Sequence, residues 1–326
     1  MAASGPQHPD RSTGGGRATR RLYGLVAVLS MAVWACGGGA GEVGPATAGG
    51  DRVTVLASFY PLSEAAARVG GDAASVENLT PSGSEPHDLE LTPPQVEALE
   101  AADVVLTMGR GFQPGVEEVA EGRSGETVEV LSALDLEPGR VSTDDRDDQG
   151  GGLDPHVWLD PTKMGEIVDA VAVALSEARP DDAEAFEANA SAYKVQLGAL
   201  DASYEAALAS CERDVMVVAH DAFGWLARRY GLTQEAIAGI SPEQEPDPQR
   251  LAELVAYVED EGVTTVFTES LVSPAVAETL AREARVTTEV LNPLEGLTDE
   301  QLAAGESYLT VMEANLAVLV GALGCE

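Results

Sequence analysis

The chain is short of basic residues, histidine, cysteine and aromatics, and each shortage narrows what it can be. Lys and Arg together number 19 in 326 residues, against 55 Asp and Glu, for a formal charge of −36. Surfaces that hold phosphates need clustered Lys and Arg, so nucleic acid and anionic lipid are poor partners for this sequence. No phosphate-cradling Walker motif occurs. After residue 35, no hydrophobic run is long enough to span a bilayer. Aromatics are 5% of residues, so the core must come mainly from Ala, Val and Leu within a hydrophobic content of 44%. Acidity by itself says little beyond solubility in a salty or acidic exterior.

The N-terminus carries more information. Arg17, Arg20 and Arg21 precede an uncharged run from Leu22 to Ala35, and Cys36 follows. A basic segment before a 14-residue apolar stretch predicts a secretory signal, because a membrane span needs roughly 18 or more apolar residues. Val33-Trp34-Ala35-Cys36 resembles a bacterial lipobox with a bulky Trp34, which makes Cys36 the expected lipidated first residue. Thr19-Arg20-Arg21-Leu22-Tyr23 loosely resembles a twin-arginine signal, so the export route stays open. Removing residues 1–35 takes away four Arg and one Asp, leaving a charge of −39. Residues 36–52 are Gly-rich and read as a flexible tether. The two remaining cysteines, Cys211 and Cys325, are an even number in an exported chain, which favours a disulfide over a thiolate metal site.

The rest alternates strand and helix patterns, as two α/β lobes require. Residues 53–181 form the expected N-terminal lobe, with buried-type strands at 53–57, 102–108 and 127–131. Helices are expected at 61–69, 94–101 and 161–178. Residues 182–210 read as one linking helix, because Phe186, Ala190, Tyr193, Leu197, Leu200, Tyr204 and Leu208 recur at steps of three and four. Residues 211–326 form the second expected lobe, with strands at 215–219, 235–240, 263–268 and 287–291. Its helices fall at 222–230, 248–261, 274–284 and 305–323. The fold class is therefore α/β, with parallel-type sheets in two lobes joined by a long rigid helix.

Four histidines are present, and His8 belongs to the signal segment. His87, His156 and His220 all fall in loops or at strand ends, never inside an expected helix. In open α/β sheets, ligands bind in the crevice beyond the carboxyl ends of the strands. Three histidines from two lobes can therefore meet in one cleft, and neutral imidazoles suit a transition metal such as Zn²⁺. On the residues alone, structural roles for these histidines compete evenly with a metal site.

Longer motifs tip the balance. Pro86-His87-Asp88 with Thr92-Pro93, Asp154-Pro155-His156-Val157-Trp158-Leu159-Asp160-Pro161 and Ala219-His220-Asp221-Ala222-Phe223 occur in order. Pro242-Glu243-Gln244-Glu245-Pro246, Phe267-Thr268-Glu269, Asn292-Pro293-Leu294-Glu295-Gly296-Leu297 and Tyr308-Leu309-Thr310-Val311-Met312 follow. The combination resembles the zinc and manganese solute-binding lipoproteins of metal ABC importers, over residues of about 53–323. The resemblance implies a metal held between the lobes and a permease and ATPase on separate chains. It also implies a protein anchored to the membrane by lipid, which we expect to be a monomer without enzymatic activity. It carries the ligand role to His87, His156 and His220, and the fourth ligand to Glu295, with Glu269 as runner-up or else as a group that orients a ligand imidazole. A histidine in the third position resembles the zinc branch, and three nitrogens with one carboxylate suit zinc better than manganese. Proton competition is expected to weaken binding below about pH 6. The acidic run Asp144-Asp145-Arg146-Asp147-Asp148 lacks the histidines that zinc-type relatives often carry there. A metal-dependent adhesin, another divalent-metal carrier and a zinc hydrolase remain as rival readings.

Overall fold

Val53-Thr54-Val55-Leu56-Ala57 is short and apolar along most of its length, the pattern of a strand covered on both faces. In the computed structural model, which describes residues 52–134, 136, 154–242 and 246–326, it forms β1 (Val53–Ala57) at the centre of the first sheet. β1 runs parallel to β2 (Ala74–Asn78) and β3 (Val104–Thr107), and β3 parallel to β4 (Glu126–Glu129), giving the order β2-β1-β3-β4. The intervening helices are α1 (Tyr60–Gly70), α2 (Pro93–Ala101), α3 (Pro114–Glu121) and α4 (Val130–Ala133). Several begin at proline, whose fixed φ suits the first helical turn and whose missing N–H costs nothing there. α5 (Pro161–Ala178) starts the same way, with the Asp160 carboxylate accepting from Thr162 N at 2.8 Å.

α6 (Ala183–Leu208) is 26 residues long, about 39 Å at 1.5 Å per residue. Its seven apolar positions at steps of three and four are all buried, and it packs on α1 and α5 and on the last helix of the second lobe. One hydrophobic core therefore runs from Val55 and Phe59 through Tyr193 and Tyr204 to Phe223 and Met312. Burying each such side chain contributes about 1.5–3 kcal/mol, and the linking helix holds both lobes through this shared core.

The second lobe repeats the first in strand order. β5 (Val215–Val218), β6 (Thr233–Ala236), β7 (Thr265–Thr268) and β8 (Thr287–Val290) make a parallel sheet in the order β6-β5-β7-β8. Its helices are α7 (Gly224–Tyr230), α8 (Pro248–Asp260), α9 (Ala275–Ala284), α10 (Asp299–Ala304) and α11 (Tyr308–Leu323). In each sheet the first and third strands lie side by side while the second turns off to the other side. The switch point for ligands is therefore at β1/β3 in one lobe and β5/β7 in the other.

Four elements escaped the sequence patterns: β2, α3, α4 and α10, and the strand expected at 127–131 ends at Glu129, where α4 begins. β2 is Ala-Ser-Val-Glu-Asn, with too few apolar side chains to stand out, and it is held by register with β1. The strand expected at 235–240 lies at Thr233–Ala236, where Gln234 is buried, and the chain leaves the sheet before Ile240. The last helix does not begin at Gly305, whose left-handed φ of 80° ends α10; Ser307 then caps α11. The signal segment, Cys36, the tether up to Asp51, the Asp144–Asp148 run and Glu243–Glu245 lie outside the described residues.

Cys211 and Cys325 are joined by a disulfide and pair as an isolated antiparallel bridge at the end of α11. Glu212 N donates to Gly324 O at 3.2 Å and Arg213 N to Leu323 O at 3.1 Å, so the terminus is stitched to the start of the second lobe. Closing a loop of this separation stabilises by about 2–4 kcal/mol. Unreduced, denatured protein should resist thiol labelling at both residues, and reduction should lower the urea midpoint. Labelling of both cysteines without reductant would contradict the bond.

Candidate metal centre

The loop after β2 carries His87, and several groups fix its backbone. Both Glu85 carboxylate oxygens accept from His87 N at 3.0 Å. The Gln113 amide donates to Pro86 O at 3.1 Å and also reaches Ser58 O and Thr80 Oγ1 at 3.3 Å, tying the loop to the ends of β1 and β2. The Phe112 ring packs against the His87 ring at 4.5 Å.

His156 sits just before α5 in a turn made by Asp154. One Asp154 oxygen accepts from His156 N at 2.9 Å and from its Nδ1 at 2.7 Å. Trp158 and Trp225 secure this turn across the lobes. Trp158 Nε1 donates to Pro293 O at 2.8 Å, and Trp225 Nε1 donates to Asp154 O at 2.9 Å.

His220 follows β5 and Glu269 follows β7, the two strands that flank the second switch point. Their adjacency puts His220 Nδ1 at 2.6 Å from Glu269 Oε1. Glu295 comes from the turn after β8. Leu294 beside it is fully buried with φ 58°, a left-handed conformation that costs a non-glycine residue about 1–2 kcal/mol. Hydrogen bonds hold it there: Leu294 N donates to Asn292 Oδ1 at 2.7 Å, and Asn315 pairs with the Asn292 backbone at 2.9 and 2.7 Å.

These four turns bring three imidazoles to one oxygen. The Nε2 atoms of His87, His156 and His220 lie 3.2, 3.2 and 3.1 Å from Glu295 Oε1. Among the described residues this is the cluster of His, Cys, Asp and Glu able to hold a metal, with all four ligand atoms within 4.8 Å of one another. Adjacent ligand atoms of a tetrahedral zinc site with bonds of 2.0–2.1 Å sit about 3.3 Å apart, close to the separations here. The structure puts Glu269 on the far nitrogen of His220 and outside this cluster. Asp221 is not among the clustered residues, and its Oδ1 accepts from Gln234 Nε2.

The tautomers follow from the partners. Asp154 and Glu269 accept at Nδ1 of His156 and His220, so those nitrogens carry hydrogen and the Nε2 lone pairs point at Glu295. Lone pairs facing a carboxylate repel unless a cation lies among them. A proton can be that cation. Burial opposes charge on His156, yet the Asp154 carboxylate and the hydrogen bonds to Asp154 and Glu295 prevail and raise it to about 9. Burial likewise opposes charge on His220, and the Glu269 and Glu295 carboxylates overcome it and hold the ring well above its ordinary value. For Glu295, burial is outweighed by His220 and by bonds from all three rings, and its carboxyl stays well below the usual range. His87 lacks a carboxylate at Nδ1, and burial pushes it down. Glu85 is pushed up to about 7, by burial first and then by the nearby Glu295 charge.

Sequence reasoning named the four clustered residues and weighed Glu269 either as the fourth ligand or as a group that orients an imidazole, but it missed Asp154, Gln113 and Asn315. Asp154 was legible in principle, since an Asp two residues before a His can accept from both its backbone and ring nitrogens. Gln113 and Asn315 had no such local signal, because each acts across more than twenty residues of chain.

A two-lobed binding protein with a buried cation-shaped cluster at its cleft is the class that this fold and geometry define. Residues 55–322 match the model of the family described as ZnuA, zinc-uptake complex component A, periplasmic, and the chain belongs to that family. It is 38% identical over 276 residues to the zinc-binding lipoprotein AdcA of Streptococcus pneumoniae, covering 82% of this chain and 55% of that protein. This chain thus spans about half the length of that relative. It is 34% identical over 307 residues to the high-affinity zinc uptake system protein ZnuA of Bacillus subtilis, covering 92% and 96% of the two chains. The crystal structure of the Zn(II)-bound ZnuA-like domain of S. pneumoniae AdcA superposes with a TM-score of 0.71 at 37% identity, over 84% of this chain and 99% of that one.

The raised His156 value has a sign that can be checked. A folded value of about 9, above the ordinary 6.5, stabilises the metal-free fold fully below pH 6.5, and that contribution is lost as pH rises through 9. In metal-free protein, NMR titration should place the His156 transition near 9 and that of His87 below 6.5. Two transitions near 6.5 would contradict the assigned partners.

Proposed function

We propose that the chain captures one Zn²⁺ outside the cytoplasm and delivers it to a metal ABC importer. His87, His156, His220 and Glu295 bind the ion, and Glu269 and Asp154 orient two of the imidazoles. The observation that carries this reading is the convergence of three Nε2 atoms on Glu295 Oε1, with two of the opposite nitrogens committed to carboxylates. Three neutral rings and one carboxylate leave a zinc complex with charge +1, and nitrogen-rich coordination favours zinc over manganese. The permease and ATPase are separate chains, and the protein works as a monomer tethered through a lipid on Cys36.

Zinc must displace protons from His156 and His220, which reach higher pH than free imidazole. Binding therefore releases protons at pH 7, and apparent affinity should keep rising from about pH 6.5 to 9 rather than level off above 6. Titration calorimetry separates the roles. His220→Ala and Glu295→Gln should each weaken zinc binding by about a hundredfold or more, and Glu269→Gln by roughly 10–100-fold. Asp221→Ala should change it by less than about tenfold, because its partner is Gln234. Full affinity in Glu295→Gln beside a large loss in Glu269→Gln would reverse the fourth-ligand assignment. Growth of a deletion strain in chelated medium, restored by zinc, supports import; adhesion without a growth defect points to an adhesin. Ester or peptide turnover that stops with chelator would instead make it a hydrolase.

Mass spectrometry of the mature N-terminus addresses the anchor. The expected product starts at Cys36 and carries diacylglycerol. A product that starts further along, without lipid, would overturn it.

A further inference from the structure

Exposure around the cluster falls in one direction. The side chains of His156 and His220 are 0% exposed, Glu295 1%, His87 7% and Glu85 11%. Among these five side chains the remaining exposure lies on Glu85 and His87. The Glu85 carboxylate is the most exposed of the five, with Oε1 3.9 Å from His87 Nε2, the atom that faces Glu295. Among the described residues no Lys or Arg pairs with Glu85.

We infer that Glu85 is a relay carboxylate, which takes the incoming hydrated cation at the mouth of the site and passes it to His87 and the buried ligands. This deepens the zinc reading above and rests on it. A cation arriving from water must exchange its waters for protein atoms, and the buried ligands are too enclosed to make the first exchange. Glu85 offers a carboxylate oxygen on the less buried side, 3.9 Å from the Nε2 of the first imidazole. Zinc expands to five-coordinate in passing, so a bond to Glu85 can form before Glu295 closes the tetrahedron and break after it. The same path runs in reverse on release. A relay lowers the barrier in both directions and leaves the end states little changed, which sets Glu85 apart from an equilibrium ligand.

The carboxylate also accepts the His87 backbone N–H, so a structural role must be separated from the relay. Glu85→Gln does this, because the amide carbonyl keeps accepting that N–H while the charge and the good ligand oxygen are lost. Glu85→Ala loses both. The measurement is stopped-flow exchange of Zn²⁺ between a fluorescent chelator and the full-length protein, with calorimetry for affinity. Glu85→Gln should slow both capture and release about tenfold or more while Kd stays within about threefold, since a charge at a cleft mouth acts chiefly on rates. Glu85→Ala should be at least as slow. Wild-type rates in Glu85→Gln with slowed exchange only in Glu85→Ala would reduce Glu85 to a backbone brace and overturn the relay. Lost affinity with unchanged capture would also overturn it. A wild-type protein that binds no zinc would sink the metal reading itself, a result distinct from either.

Discussion

The structure depends on one electrostatic constraint: three ring nitrogens face a single carboxylate oxygen in a space nearly closed to water. With Nδ1 of His156 and His220 held by carboxylates, nothing but positive charge can reconcile those lone pairs with Glu295. The same arrangement raises His156 and His220 against burial and lowers Glu295, so a proton can meet the constraint. In the proposed function a divalent cation meets it instead and releases those protons. Capture and proton release are thus two descriptions of one exchange.

The fold supplies the geometry that this exchange needs. Both sheets have the same strand order, so each presents a switch point, and the second places His220 and Glu269 side by side at the ends of β5 and β7. Precision comes from the packing between lobes. The shared core along α6 sets the lobes, and Trp158, Trp225 and Tyr308 donate to backbone carbonyls at 2.8, 2.9 and 2.6 Å around the ligand turns. A ligand set drawn from four separate turns tolerates little slack, since a metal site loses affinity when its outer hydrogen bonds loosen.

Much of this was legible in the sequence where the signal is local. The seven apolar positions of α6 repeat with helical spacing, and all are buried. The histidine motifs read as loops and strand ends, and the three histidines come together with Glu295, which the resemblance nominated. What stayed hidden acts at a distance or through the backbone. β2 has a polar sequence and exists because β1 offers it a register. The left-handed Leu294 is imposed by Asn292 and Asn315, and no residue pattern announces a leucine at positive φ. The split between Glu295 and Glu269 likewise needed coordinates, because both follow strands and only their positions relative to the imidazoles tell them apart.

The central claim is that a zinc ion occupies the point where these four side chains meet. A crystal structure of protein purified without added metal, with anomalous data collected on both sides of the zinc edge, tests it most directly. The account predicts one zinc peak bonded to Nε2 of His87, His156 and His220 and to Glu295, with Glu269 on Nδ1 of His220. A peak elsewhere, another metal at the site, or zinc bound through Glu269 would contradict it.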